Sequence, residues 1–243
     1  MSGHPALNRE LIFDIGACEG NDTAFYLRKG FRVVAVEANP RLVEDMGTRF
    51  AREIAAGDLI LLNRAALDTA YQSVRLWHTR DPGHGTVERN PHQVTEASTV
   101  ITIDWAELVA LAGVPYYCKI DIEGSEEPFL GSMLRSPGRP VYVSAEVHTA
   151  GPAAMLYALG YRQFRLINQT YLHHAQVPDP PREGRFVPDP NNMHASGLFG
   201  RELPGERWLD FAEVTALLDC VRRLDRYPEI HRSWYDVHAW NGD

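Results

Sequence analysis

Short β-branched runs alternate along the chain with longer stretches whose apolar residues recur every three or four positions. That alternation predicts strands and helices following one another. Leu11–Ile15 is apolar except for Asp14 and reads as a buried strand. Gly16 and Gly20 bracket a sharp turn, Asn21, Asp22 and Thr23 can each cap a helix, Ala24–Lys29 continues it, and Gly30 stops it. Phe31–Val36 is a second strand, ending at Glu37. Arg41–Ala56 carries Leu42, Met46, Phe50 and Ile54 at helical spacing, and Asp58–Leu62 reads as a third strand. Ser73–His78 reads as an added strand, and the polar stretch Asp81–Glu96 as a surface loop able to order over a substrate. Further strands are expected at Ser98–Asp104, Tyr116–Ile120, Val141–Val147, Arg162–Asn168 and Trp234–Trp240. Helices are expected at Trp105–Ala112, Pro152–Gly160 and Asp210–Leu224. The first unit, strand–glycine turn–helix–strand–acid, is the crossover that holds a nucleoside in open α/β sheets.

Composition narrows the classes of partner. The 243 residues are 44% hydrophobic and 23% charged, enough for one large folded domain, and no apolar run could span a bilayer. The net charge of −8 argues against a nucleic-acid backbone or an anionic membrane as main partner. The three cysteines, Cys18, Cys118 and Cys220, are far apart and form neither a metal spacing nor a disulfide framework, so a reducing, cytoplasmic setting is expected. Lysine occurs only at Lys29 and Lys119, whereas arginine is abundant.

The turn after the first strand is Asp14-Ile15-Gly16-Ala17-Cys18-Glu19-Gly20. Glycines and helix N–H groups suit a pyrophosphate, but a carboxylate at Glu19 would repel one and attract an amino group or a sulfonium. Glu37, at the tip of the second strand, can accept hydrogen bonds from both hydroxyls of a ribose. A ligand with a ribose, a cation and no phosphate describes S-adenosylmethionine. Asn63 and Ala65, at the end of the third strand, either border its adenine or merely end the strand. Asp121, Glu123, Glu146 and His148 fall at strand ends on the same rim.

The paired stretches DIGACEGNDT with VEANP, and KIDIEGSE with SAEVH, resemble the FkbM family of S-adenosylmethionine-dependent methyltransferases over roughly Leu11–His148. The resemblance implies a class I methyltransferase fold: α/β, Rossmann-like and doubly wound, with a seven-stranded, mostly parallel sheet whose last strand is antiparallel. It implies methylation of hydroxyl groups on natural products or sugars. It carries a cofactor role to Asp14, Gly16, Glu19, Gly20, Asn21, Thr23 and Glu37, with Ala17 and Ala38 beside them, and a rim role to Asp121 and Glu123. The expected layout is one domain, 1–243. Its core is about 8–168 and 234–243, and an insertion at about 169–233 forms a lid over the cofactor.

Methyl transfer to an alcohol is an in-line displacement helped by removal of the hydroxyl proton. His148 is the first candidate base. Asp121 is the second, with binding of the cofactor's amino group as its other role. His238, next to Asp236, is the third, unless both are ordinary residues of a terminal strand. A divalent ion such as Mg²⁺ on Asp121, Glu146 and His148 is the less favoured variant, because no compact metal motif supports it. The expected partner is a small hydroxylated acceptor, with no nucleic acid and no membrane. Oligomeric state is open, a homodimer being one option. A protein that binds the cofactor without turnover is the competing class.

Overall fold

The structure is a computed structural model that describes residues 6–79, 85–87, 96–172, 174–188, 195–205, 207–224, 226–227 and 233–242. Its elements run β1 (Leu7–Ile15), α1 (Asn21–Arg28), β2 (Arg32–Glu37), α2 (Pro40–Arg49), α3 (Ala51–Ala56), β3 (Leu59–Asn63), β4 (Ala65–Ala66), β5 (Ser73–His78) and β6 (Glu96–Ile103). They continue through α4 (Trp105–Ala112), β7 (Val114–Ile120), α5 (Glu126–Leu134), β8 (Tyr142–Glu146), α6 (Gly151–Ala158), β9 (Gln163–Asn168), α7 (Gln169–Leu172), α8 (Phe211–Leu224) and β10 (Tyr235–Trp240).

The main sheet has seven strands in the order β3-β2-β1-β7-β8-β10-β9. Pairing is parallel from β3 through β8, and β10 runs antiparallel to both β8 and β9. Alternation along the strands feeds two apolar layers. Leu11, Phe13, Ile15, Val34 and Val36 face a layer with Trp105, Leu108, Phe129, Leu156 and Leu218. Ile12, Val33 and Ala35 face the opposite layer with Phe25, Tyr26, Met46 and Phe50. The order reverses between β1 and β7, so the carboxyl ends of β1, β2, β7 and β8 open a crevice there.

Three expectations change. The helix expected over 41–56 breaks at Phe50, which caps α2 and α3 with non-helical backbone (φ −108°, ψ 24°). The apolar stripe buries Leu42, Met46 and Phe50, whereas Ile54 beyond the break is 38% exposed. The added strand β5 belongs to a separate three-stranded sheet, β4-β6-β5, with β4 parallel and β5 antiparallel to β6. Of the loop expected at Asp81–Glu96, most lies outside the described residues; Thr86 pairs with Trp77 through both backbone bonds.

The third change concerns the insertion after β9. Its described residues are chiefly a wall of the fold rather than a lid. Leu172, Val187, Leu198, Phe199 and Leu203 join the α1 layer. Phe199 stacks on Tyr117 at 4.5 Å and meets Tyr26 edge-on at 5.5 Å. Lys29 Nζ lies 2.8 Å from Glu202 Oε2, both side chains fully buried, and the Tyr116 hydroxyl donates to Glu183 Oε2 at 3.0 Å. Apolar sheet surface left bare by the short α1 is covered by these residues.

Candidate active site

Backbone bonds stitch the loops at the strand ends together. Gly16 N and Ala17 N donate to Val36 O (2.9 and 3.0 Å), and Asp121 N donates to Ile15 O (2.9 Å). A Cβ on Gly16, whose φ is +84°, would stand 1.7 Å from Asp121 O, so only glycine lets these loops cross. Beside this crossing lies a cavity of about 650 Å³. Ala17, Glu37, Ala38 and Ala65 line it from the β1–β3 side, Asp121, Glu123, Glu146 and His148 from the β7–β8 side.

Glu37 sits where a ribose acceptor is expected. Its Oε2 accepts from Cys18 N (2.8 Å) and its Oε1 from Asn39 N (2.7 Å). Burial raises its carboxyl, and the bonds from Asn39 and Cys18 oppose the rise. An ionised carboxylate has about four acceptor sites, so about two remain for vicinal hydroxyls. Ala38, Ala65, Leu76 and Val87 form one apolar cluster, the last two brought by the small sheet and its bridge. Thr86 Oγ1 ties that bridge to Glu123 O at 3.1 Å. Acid at the strand tip, a flat apolar wall and the carboxylate of Glu19 at the rim fit an adenosyl sulfonium and disfavour a pyrophosphate.

Of the residues singled out in the sequence, Gly16, Ala17, Glu19, Asn21, Glu37, Ala38, Ala65, Asp121, Glu123 and His148 line the cavity. Five others do not. Asp14 and Thr23 are fully buried beneath the turn, where Thr23 Oγ1 donates to Asp14 Oδ2 at 2.6 Å. Gly20 packs on Phe50 and Met46. Asn63 spends its amide on Glu37 O and Ala38 O, both at 3.0 Å, and so braces the tip of β2 instead of meeting adenine. His238 is 2% exposed in mid-sheet; burial and nearby Arg165 hold it down to about 3, so it cannot serve as the base.

The centre of the site escaped sequence reasoning. Lys119 Nζ lies 3.2 Å from Asp121, 3.6 Å from Asp22 and 3.9 Å from Asp14. Burial alone would lower this ammonium; the carboxylates of Asp121, Asp22 and Asp14 override it and hold it well above its ordinary value. Burial pushes Asp14 up to about 7 against the pull of Lys119. Asp22 also accepts from Ser196 N (3.0 Å) and Gly197 N (2.8 Å), which fixes Ala195 and Ser196 in the cavity wall. A lysine inside the otherwise apolar strand Val114–Ile120 was the available signal, since a buried charge demands a partner. Glu126 was missed too. It accepts from Ile122 N (2.9 Å) and Gly124 N (3.1 Å) and shapes the turn that carries Glu123.

On the rim, His148 Nε2 stands 3.1 Å from Glu146 Oε2. That carboxylate raises the imidazole to about 9 against the opposing effect of burial, so the charged ring prevails at neutral pH. Burial and then Glu37 push the Cys18 thiol up to about 11, which leaves it protonated and no nucleophile.

The chain is similar to the probable ribosomal RNA small subunit methyltransferase A of Methanospirillum hungatei JF-1, 39% identical over 61 residues, 25% of this chain and 24% of that protein. The chain thus matches about a quarter of the length of that curated relative. Among solved structures it is similar to precorrin-6y C5,15-methyltransferase from Geobacter metallireducens GS-15 (11% identity, TM-score 0.43, 98% of this chain and 82% of that one). It is also similar to an S-adenosylmethionine-dependent O-methyltransferase from Thermotoga maritima (9%, TM-score 0.43, 96% and 60%). A family model described as the methyltransferase FkbM domain matches residues 14–166. The chain therefore belongs to the FkbM-domain methyltransferase family, whose cofactor is S-adenosylmethionine.

Proposed function

We propose that the protein methylates a hydroxyl oxygen of a small molecule, as in natural-product or sugar modification. The observation that carries this reading is the charge of the rim. Glu19, Glu37, Asp121, Glu123 and Glu146 all line the cavity, against Arg64, His148 and the already neutralised Lys119. Such a rim repels a phosphate backbone, in keeping with the net charge of −8. It accepts hydrogen bonds from a polyhydroxylated molecule that fits within about 650 Å³.

The cofactor, when bound, supplies an electrophilic methyl on a sulfonium, which becomes a neutral thioether as the hydroxyl becomes a methyl ether. The protein holds the ribose through Glu37, packs the base against Ala38, Ala65, Leu76 and Val87, and excludes water with the small sheet and Trp234. The acceptor's proton passes to a rim carboxylate, Glu123 or Glu146, and on to solvent, the His148 ring being already charged. Asp121, paired with Lys119, is a positioning group at the crossing of the loops.

Calorimetry with S-adenosylmethionine tests the pocket. About two charge-assisted hydrogen bonds of about 1.5–3 kcal/mol each are at stake. Glu37→Ala then weakens binding by about 100-fold or more, and a change under about threefold refutes the assignment. A mass-spectrometric search for the gain of one methyl across hydroxylated metabolites tests turnover. Binding without any product favours a cofactor-binding protein that does no chemistry.

A further inference from the structure

Three donor groups from separate segments meet on one side of the cavity. Glu146 ends β8, His148 lies two residues on, and Glu123 occupies the left-handed turn after β7 (φ 54°). One ligand atom of each lies within 4.8 Å of the other two. Two ligands of one ion stand at most two bond lengths apart, about 4.0–4.8 Å for bonds of about 2.0–2.4 Å. All three atoms therefore fit around a single ion.

Glu146 supplies an independent observation. Its side chain is 10% exposed, it lines the cavity, and its Oε2 accepts no aligned hydrogen bond, although His148 Nε2 is 3.1 Å away. The His148 ring faces this sealed oxygen without bonding it in line, and a divalent ion between them takes both as ligands while the ring gives up its proton to solvent. The ligand set also differs from the one the sequence points to. Asp121 is held by Lys119, and Glu123 takes its place.

We infer that Glu123, Glu146 and His148 hold one divalent cation of the Mg²⁺ or Mn²⁺ class, whose open positions take two adjacent oxygens of the acceptor. Two carboxylates and one imidazole suit such an ion, and about three of six positions remain for the cavity side. The acceptor this selects carries neighbouring hydroxyls, as on a sugar ring or a 1,2-dihydroxybenzene. That second half rests on the methyl-transfer reading; the ion site itself does not.

The test uses the full chain, stripped with EDTA and titrated with Mn²⁺ while the paramagnetic resonance of the free ion is followed. About one ion per chain is taken up, and His148→Ala and Glu146→Gln each weaken uptake by at least about tenfold. The His148 side chain is 58% exposed, so its loss leaves the fold intact, which circular dichroism checks. No uptake by the parent chain, or equal affinity in both variants, overturns the site. Added 1,2-dihydroxybenzene displaces ion-bound water and lowers water-proton relaxation, whereas phenol does not; equal effects overturn the acceptor class. Calorimetry on the same EDTA-treated protein separates the two claims. Cofactor binding without Mn²⁺ uptake sinks the ion alone, and Mn²⁺ uptake without cofactor binding sinks the methyl-transfer reading.

Discussion

Replacing Lys119 by methionine probes the centre of the site directly. The side chain is 5% exposed and has three carboxylates within 4.0 Å, at 3.2, 3.6 and 3.9 Å. At an effective dielectric of about 20, each contact is worth about 4–5 kcal/mol before desolvation and mutual repulsion of the acids are set against it. Methionine keeps the length of the chain and removes the charge, so Asp14 and Asp22 stay buried without a cation. Losing one partner of such a network costs about 3–5 kcal/mol. In a chain of this size that lowers Tm by about 6–20 °C. The sign with pH follows from Asp14. Its folded value is about 7, above the ordinary 3.8, and loss of Lys119 raises it further. An acid with a raised folded value destabilises most at high pH, and the penalty is relieved as pH falls through that value. Urea unfolding at pH 8.0 and 5.5 therefore shows a larger deficit at pH 8.0 (the two pH values bracket the carboxyl at about 7). Adding Asp14→Asn to Lys119→Met recovers part of it, because neighbouring charges do not act additively. A deficit below about 1 kcal/mol, one equal at both pH values, or no recovery in the double variant refutes this account of the network.

Other outcomes are expected away from that centre. His238 is buried neutral with its folded value near 3, below the ordinary 6.5, so its contribution is complete above 6.5 and lost as pH falls toward 3. His238→Gln narrows its stability gap to the parent by about 3 kcal/mol between neutral pH and pH 4, read from urea midpoints; parallel curves contradict this. Asp22→Ala strips the acceptor from Ser196 N and Gly197 N, and limited proteolysis then cuts within 195–205 faster by about tenfold or more. An unchanged cutting rate means the segment is held by Phe199 and Leu203 alone.

Legibility in the sequence tracked how local each feature is. Strand, turn, helix and strand from Leu11 to Glu37 follow from neighbouring residues, and they appear with boundaries shifted by a few positions. The antiparallel last strand likewise matches its expected span within one residue. Features assembled from distant segments were not readable. Ala65-Ala66 becomes a strand only because Thr102-Ile103 lies beside it. Asn63 looked like a ligand donor, but the nearer carbonyls of Glu37 and Ala38 capture its amide. The insertion was expected as a lid because it leaves and rejoins the sheet at the rim, between β9 and β10; its apolar residues Val187, Leu198, Phe199 and Leu203 pack against the sheet instead. Lys119 needed acids from three separate segments, and sequence spacing cannot foretell that convergence.

Both lysines of the chain are interior, Lys29 at 1% and Lys119 at 4% exposure. Succinimidyl esters and acetylating reagents therefore meet no accessible ε-amine on the native molecule, and enzymes that mark surface lysines find none to mark. The same fact supplies a gauge of denaturation. Incorporation of an amine-directed dye at these two positions should track opening of the interior, Lys29 reporting the insertion's wall and Lys119 the nest of acids.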